Sequence, residues 1–167
     1  LGGQSDNVVR LYVRPMNQPE PVALPNTENV TTPSFSPDGR WIAFFADGKL
    51  KKIPIEGGAP VTLCDVGVDP RGGVWGPDDT IVFSNAGSSA LFRVPVGGGT
   101  PEPLTELDFT RGETAHRWPE FLPGGKAVLF TTLRGGEFDI EVLWLATGER
   151  RLLIEDASQP VYASSGH

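Results

Sequence analysis

The 167-residue chain has one cysteine, one methionine, two histidines and two tyrosines. A lone Cys64 makes no disulfide within the chain and no cysteine-based zinc site. It lies in the apolar run Val61-Thr62-Leu63-Cys64, so a buried structural thiol is the expectation. A membrane helix needs a window of roughly 18 apolar residues, and none occurs. Nor is there a basic-then-apolar signal segment at the start. Cations are in short supply: 14 Lys and Arg against 21 Asp and Glu give a net charge of −7. That balance opposes sequence-independent nucleic-acid binding, which relies on clustered Lys and Arg to displace counterions from phosphates. A disulfide-free chain suits the cytoplasm without excluding the periplasm.

Catalytic signatures are missing as well. No Gly-x-Ser-x-Gly elbow, His-Glu-x-x-His helix or calcium-loop Asp pattern is present. No Gly-rich nucleotide loop, His-Arg-Asp or Asp-Phe-Gly marks a kinase domain. His167 is the last residue, and Asp78-Asp79 sits in a turn where backbone hydrogen bonding explains it. Asn29-Val30-Thr31, a formal glycosylation acceptor, reads as a polar loop. The expectation is a protein that is not an enzyme, with no cofactor and no metal.

What is abundant is punctuation. With 21 Gly and 16 Pro spread along a chain that is 38% hydrophobic and 21% charged, the composition is that of a globular domain of many short strands. The punctuation repeats. Ser36-Pro37-Asp38-Gly39 returns as Gly76-Pro77-Asp78-Asp79 and Leu122-Pro123-Gly124-Gly125. An aromatic stands two residues before each proline (Phe35, Trp75, Phe121), and another follows on the next strand (Phe44, Phe83, Phe130). The stretch from Leu50 to Pro60 matches Leu91 to Pro101 almost residue for residue, with a looser third copy over 140–149.

Each unit reads as four antiparallel strands, A to D. In the first, A covers about 33–35, B about 41–46, C about 49–55 and D about 60–64. Asp47-Gly48 signals a two-residue hairpin, because a type I′ turn needs residues that tolerate positive φ. Pro54 and Pro95 cannot donate to a ladder and suit an unpaired side. Four strands in 40–46 residues is the period of a β-propeller blade. Two β-sandwiches are the alternative, but they have no need of one aromatic–Pro–turn–aromatic unit three times. The fold class is therefore all-β, a propeller of four-stranded antiparallel blades. A C–D half-blade at 8–24 precedes three blades at 33–64, 73–105 and 119–154, and strand A of another blade begins 159–167. Such a partial propeller is a four-bladed ring with an incomplete blade, part of a larger ring, or completed by self-association.

The units "SFSPDGRWIAFF" and "GKLKKIPIEGGAPVTL" resemble the WD40-like (PD40) repeat of TolB-type β-propellers. The resemblance covers about 8–167, and "LYVRPM", "WGPDDTIVFS", "LFRVPVGGGTPEPLT" and "HRWPEFLPGG" are closest to the sensor propellers of bacterial serine/threonine kinases. It implies a bacterial, extracytoplasmic platform for binding proteins or ligands, and fold resemblance alone names no function.

In propellers the D-to-A loops ring the channel mouth; here they are 25–32, 65–72, 108–118 and 155–159. The third brings Arg111, Glu113, His116, Arg117 and Trp118, and the second brings Asp69 and Arg71. Arg and Trp dominate binding hot spots, and His adds pH sensitivity. These seven are the candidate site for a protein or small ligand. The competing reading makes Trp118 an inter-blade cap, pairs Arg117 with Glu113 or Glu120 and makes His116 structural. Phe35, Trp41 and Phe44 are expected to pack between blades, as are Trp75 and Trp144. Lys49, Lys51 and Lys52 are expected on a solvated outer edge that deters pairing.

Overall fold

The computed structural model describes residues 8–17, 19–87 and 89–163. Blade 1 is β3 (Thr31–Phe35), β4 (Trp41–Ala46), β5 (Lys49–Pro54) and β6 (Val61–Asp65), hydrogen-bonded in that order. Blade 2 is β7 (Gly73–Trp75), β8 (Thr80–Ser84), β9 (Leu91–Pro95) and β10 (Glu102–Pro103). Blade 3 is β11 (Glu113–Phe121), β12 (Ala127–Arg134), β13 (Glu137–Trp144) and β14 (Arg150–Ile154). A hairpin of β1 (Tyr12–Val13) and β2 (Val22–Ala23) precedes them, at the place of the expected C–D half-blade.

The A–B turn is built by its own side chains. The Ser36 hydroxyl donates to Asp38 Oδ1 at 2.6 Å, the Arg40 N–H donates to the same oxygen at 3.0 Å, and Gly39 takes φ +69°. Asp47 and Gly48 both adopt positive φ between the paired residues Ala46 and Lys49, as a type I′ turn requires. Pro54 and Pro95 end strands C beyond the last pairing with strand D, where no ladder donor is needed.

Alternation sends the two faces of each sheet into different cores. Ile42 and Phe44 face the β1–β2 hairpin with Leu11, Leu24 and Val30. Ala43, Phe45, Leu50 and Leu63 meet Trp75, Ile81, Phe83 and Val94 of blade 2. Val82 and Leu91 meet Val128, Phe130 and Leu143 of blade 3. Cys64 is buried in the middle core, where burial pushes its thiol up to about 11. A blade cannot bury both faces alone, so stacking is what stabilises it.

Strand A carries one device in every copy. A left-handed residue stands three positions before the aromatic: Thr32 (φ +41°), Gly72 (+97°) and Trp118 (+49°). The register shifts there in β3 and β11. Gln159 (φ +55°) has the same relation to Tyr162. The Trp75 N–H donates to Ser34 Oγ at 3.4 Å, and two repeats further on the Tyr162 N–H reaches the Glu120 carboxylate in the same relation. Residues 159–163 thus hold the position expected of a next strand A but form no ladder, since no strand B stands beside them among the described residues. The remainder of that expected segment, 164–167 with His167, lies outside the described residues.

Three expectations need correction. Strand A of blade 3 starts at Glu113, not 119, so much of the supposed loop is ladder. Phe35 is 59% exposed, unlike Trp75 and Phe121. Its counterparts pack on the A–B turn of the blade before: an added Cβ at Gly76 would fall 2.6 Å from the Phe121 ring. No such turn precedes Phe35 among the described residues. Lys49, Lys51 and Lys52 lie on β5, an inner strand of its sheet, and are half-buried rather than on an edge.

Candidate functional site

The seven candidate residues separate into two groups. Asp69, Arg71, Arg117 and Trp118 come together at the D-to-A end of the blades. Glu113 and His116 belong to a buried network where blade 3 meets blade 2, with the exposed Arg111 at its rim.

The first group is assembled by backbone. The Trp118 N–H donates to the Arg71 carbonyl at 2.7 Å, fastening the β11 bulge to the loop before blade 2. Gly72 permits this approach, because a Cβ there would lie 2.8 Å from Trp118 Cα. Arg117 donates through Nη2 (2.6 Å) and Nε (3.2 Å) to the Gly87 carbonyl. Its guanidinium carbon stands 5.9 Å from the centres of both the Trp118 and Phe138 rings. Those rings are themselves 5.9 Å apart and tilted at 54°. Arg71 Nε donates to Asp69 Oδ2 at 2.9 Å. Burial and then the Arg71 charge lower the Arg117 pKa, so the two cations are close. The result is a half-buried aromatic and guanidinium surface with one carboxylate. Arg117 therefore pairs with neither Glu113 nor Glu120. Phe138, at the start of strand C, was missed because neither its type nor its position set it apart in the sequence.

The second group is organised by a residue absent from the sequence-derived set, Arg150. Its Nη2 lies 2.8 Å from Glu113 Oε1 and 2.8 Å from Glu141 Oε2, and its Nη1 donates to the Glu106 carbonyl at 3.0 Å. The guanidinium also stacks 5.4 Å from the Phe130 ring centre. His116 is fully buried, with Nδ1 2.8 Å from Thr105 Oγ1 and Nε2 3.1 Å from Glu113 Oε2. Burial, then the Arg150 charge, brings its pKa down to about 4, so it is neutral at pH 7. Burial pushes the Glu113 carboxyl up, but hydrogen bonds from Arg150 and the Asp108 N–H outweigh it and hold the group below its ordinary range. Arg111 lies farther out, 3.6 Å from Glu113 and 3.8 Å from Glu141. This network locks β11, β13 and β14 of blade 3 to one another and, through Thr105 and the Glu106 carbonyl, to the segment that follows β10 of blade 2. Among the described residues, no group of three or more His, Cys, Asp or Glu is placed to hold a metal ion.

No protein-family model matches the chain. An uncharacterized protein of Agrobacterium fabrum is 28% identical over 131 residues, which are 72% of this chain and 42% of that protein. TolB from Acinetobacter baumannii superposes with a TM-score of 0.72 at 18% identity, over 89% of this chain and 39% of its own. The chain has a TolB-type propeller fold. One chain of a nidogen–laminin complex superposes with a TM-score of 0.68 at 17% identity, over 82% of this chain and 53% of its own. This TolB-type propeller spans about two fifths of the bacterial proteins it matches. Such identities establish the fold; which molecule is recognised must be argued from the residues themselves.

Proposed function

We propose that the chain is a non-catalytic recognition module whose surface is the Arg71, Arg117, Trp118 and Phe138 cluster. The observation that carries this reading is Trp118. It occupies a left-handed position where the other copies have Thr32, Gly72 and Gln159, so the blade itself does not call for an indole there. A bulky residue held at positive φ beside a stacked guanidinium is a strained, over-determined arrangement of the kind found at functional sites. The partner is a protein segment or small ligand with an acceptor-rich, flat group that pairs with guanidinium and stacks on indole. A sensor role beside a bacterial kinase domain, on the extracytoplasmic side, extends this reading on the strength of the repeat resemblance. The non-catalytic part is supported by His116, whose ring nitrogens are both engaged and whose pKa leaves it neutral.

The test is affinity capture from an extract of the source bacterium, comparing the chain with a variant carrying Arg71→Ala, Arg117→Ala and Trp118→Ala. A partner bound by the first and lost by the folded variant, then reproduced with purified components, supports the site. A partner retained equally by both removes the assignment.

A second reading, self-association to complete a ring, is favoured by the exposure of large apolar side chains on blade 1 and the β1–β2 hairpin, with Phe35, Tyr12 and Val22 each more than half exposed. A third, an accessory propeller of a hydrolase, has no residue in its support.

A further inference from the structure

Between blades 1 and 2, at the end carrying the A–B turns, lies a groove of about 310 Å³. It is at the opposite end from the Arg117 cluster and does not rest on the reading above. The Trp41 and Trp75 indoles and the Pro37 and Pro77 rings line it, together with Asp38, Asp79 and Lys52. Its size falls at the small end of the roughly 300–1,000 Å³ range of ligand sites, room for one ring.

The repeat shows what is particular here. Lys52 pairs with Ala43 and Val61, and Arg93 holds the same ladder position between Val82 and Glu102. In blade 2 the cation is neutralised across the ladder, with Arg93 Nη2 3.1 Å from Glu102 Oε2. In blade 1 the cross-strand residue is Val61, and Lys52 has no carboxylate partner among the described residues. Its ammonium turns inward instead, 4.7 Å from the Trp41 ring centre and 5.9 Å from that of Trp75. Trp41 is a second departure, since the residues in its ladder position are Thr80 and Ala127. At the interface of blades 2 and 3 the Phe121 ring lies tight against Gly76. The groove opens where the two departures coincide. The Trp75 indole N–H is buried and meets no acceptor among the described residues.

The lining therefore offers one cation without a carboxylate partner, Lys52, beside two carboxylates and apolar ring faces. Asp38 is ionised, because the Ser36 hydroxyl, then the Arg40 N–H, hold its carboxyl below the ordinary range. An anion would meet Asp38 and Asp79, and a cation would meet Lys52. A neutral polyhydroxylated ring satisfies both signs: hydroxyls donate to the carboxylates and accept from Lys52. Its C–H face lies on indole and proline rings. We propose that this groove binds a monosaccharide unit.

The test uses glucose, galactose and N-acetylglucosamine as probes, with benzoate as an anionic control, read by saturation-transfer NMR and tryptophan fluorescence. At least one sugar is expected to bind saturably. Val61→Glu, at an exposed position outside the groove, introduces the cross-strand pairing seen in blade 2 and draws Lys52 away while leaving the indole, proline and carboxylate lining unchanged in sequence. It and Trp41→Thr should each weaken binding roughly tenfold or more. Val61→Glu keeps the test decisive even where Trp41→Thr fails to fold. Absence of saturable binding by all three sugars overturns the proposal. So does binding that survives Val61→Glu, or benzoate binding more tightly than any sugar.

Discussion

His116 is held neutral in the interior, and that fixes the direction of its pH effect. Its folded pKa of about 4 lies below the ordinary 6.5, so the unfolded chain binds the proton first as pH falls. The stability it contributes is complete above pH 6.5 and is lost as pH falls toward 4, at a total cost of about 3 kcal/mol. Glu113, also depressed, adds an acid loss in the same direction at lower pH. Urea unfolding at pH 7 and pH 5 should show the loss, and His116→Gln should flatten it; equal slopes in both proteins exclude this origin. Arg150→Leu should cost about 3–5 kcal/mol, because two buried carboxylates then lose their common cation. A loss under 1 kcal/mol by denaturant titration would contradict the lock. Neither effect is visible in the sequence around His116. Arg150 approaches it only when β14 folds onto the sheet of blade 3, and Thr105 only when blade 3 stacks on blade 2.

At the scale of elements, strand A carries a left-handed residue three positions before its aromatic, with a bulge in β3 and β11, and in blades 2 and 3 that aromatic rests on the preceding blade. Its Pro-turn and aromatic spacing were legible because they repeat, and so were the hairpin at Asp47-Gly48 and the order of the strands. The length of β11 was not, since Glu113 to Trp118 is charged and polar and reads as loop. Those side chains are accepted on a strand because Arg150 and Thr105 compensate them. Equivalent residues should then respond unequally to the same change. Trp75→Ala should cost about 3–5 kcal/mol, whereas Phe35→Ala should stay within about 0.5 kcal/mol. Similar losses at both positions, measured by thermal unfolding, would refute the packing rule. Gly72→Ala should destabilise by about 1–3 kcal/mol, since it adds positive-φ strain and a clash with the Trp118 backbone.

The whole molecule is a run of blades whose two flanks differ. Among the described residues, blade 1 is covered by the β1–β2 hairpin but leaves Phe35 open, and blade 3 carries residues 155–163 against its far side. Self-association through the Phe35 flank predicts a mass in light scattering that rises with concentration. Phe35→Ser combined with Tyr12→Ser should return it to the monomer. A constant monomer mass at all concentrations would exclude that reading.

Composition and repeat by themselves determined the class, the blade period and the turns, because each depends on local spacing and backbone preference. They also pointed to the D-to-A loops as the candidate surface, and four of the seven residues named from them, Asp69, Arg71, Arg117 and Trp118, lie together in the fold. Only tertiary structure decided that Glu113 and His116 are interior, that Arg150 governs them, and that Lys52 turns between two indoles. Burial arises where blades stack, and charge pairing where distant strands of one blade come side by side, as for Glu113 and Arg150 on β11 and β14.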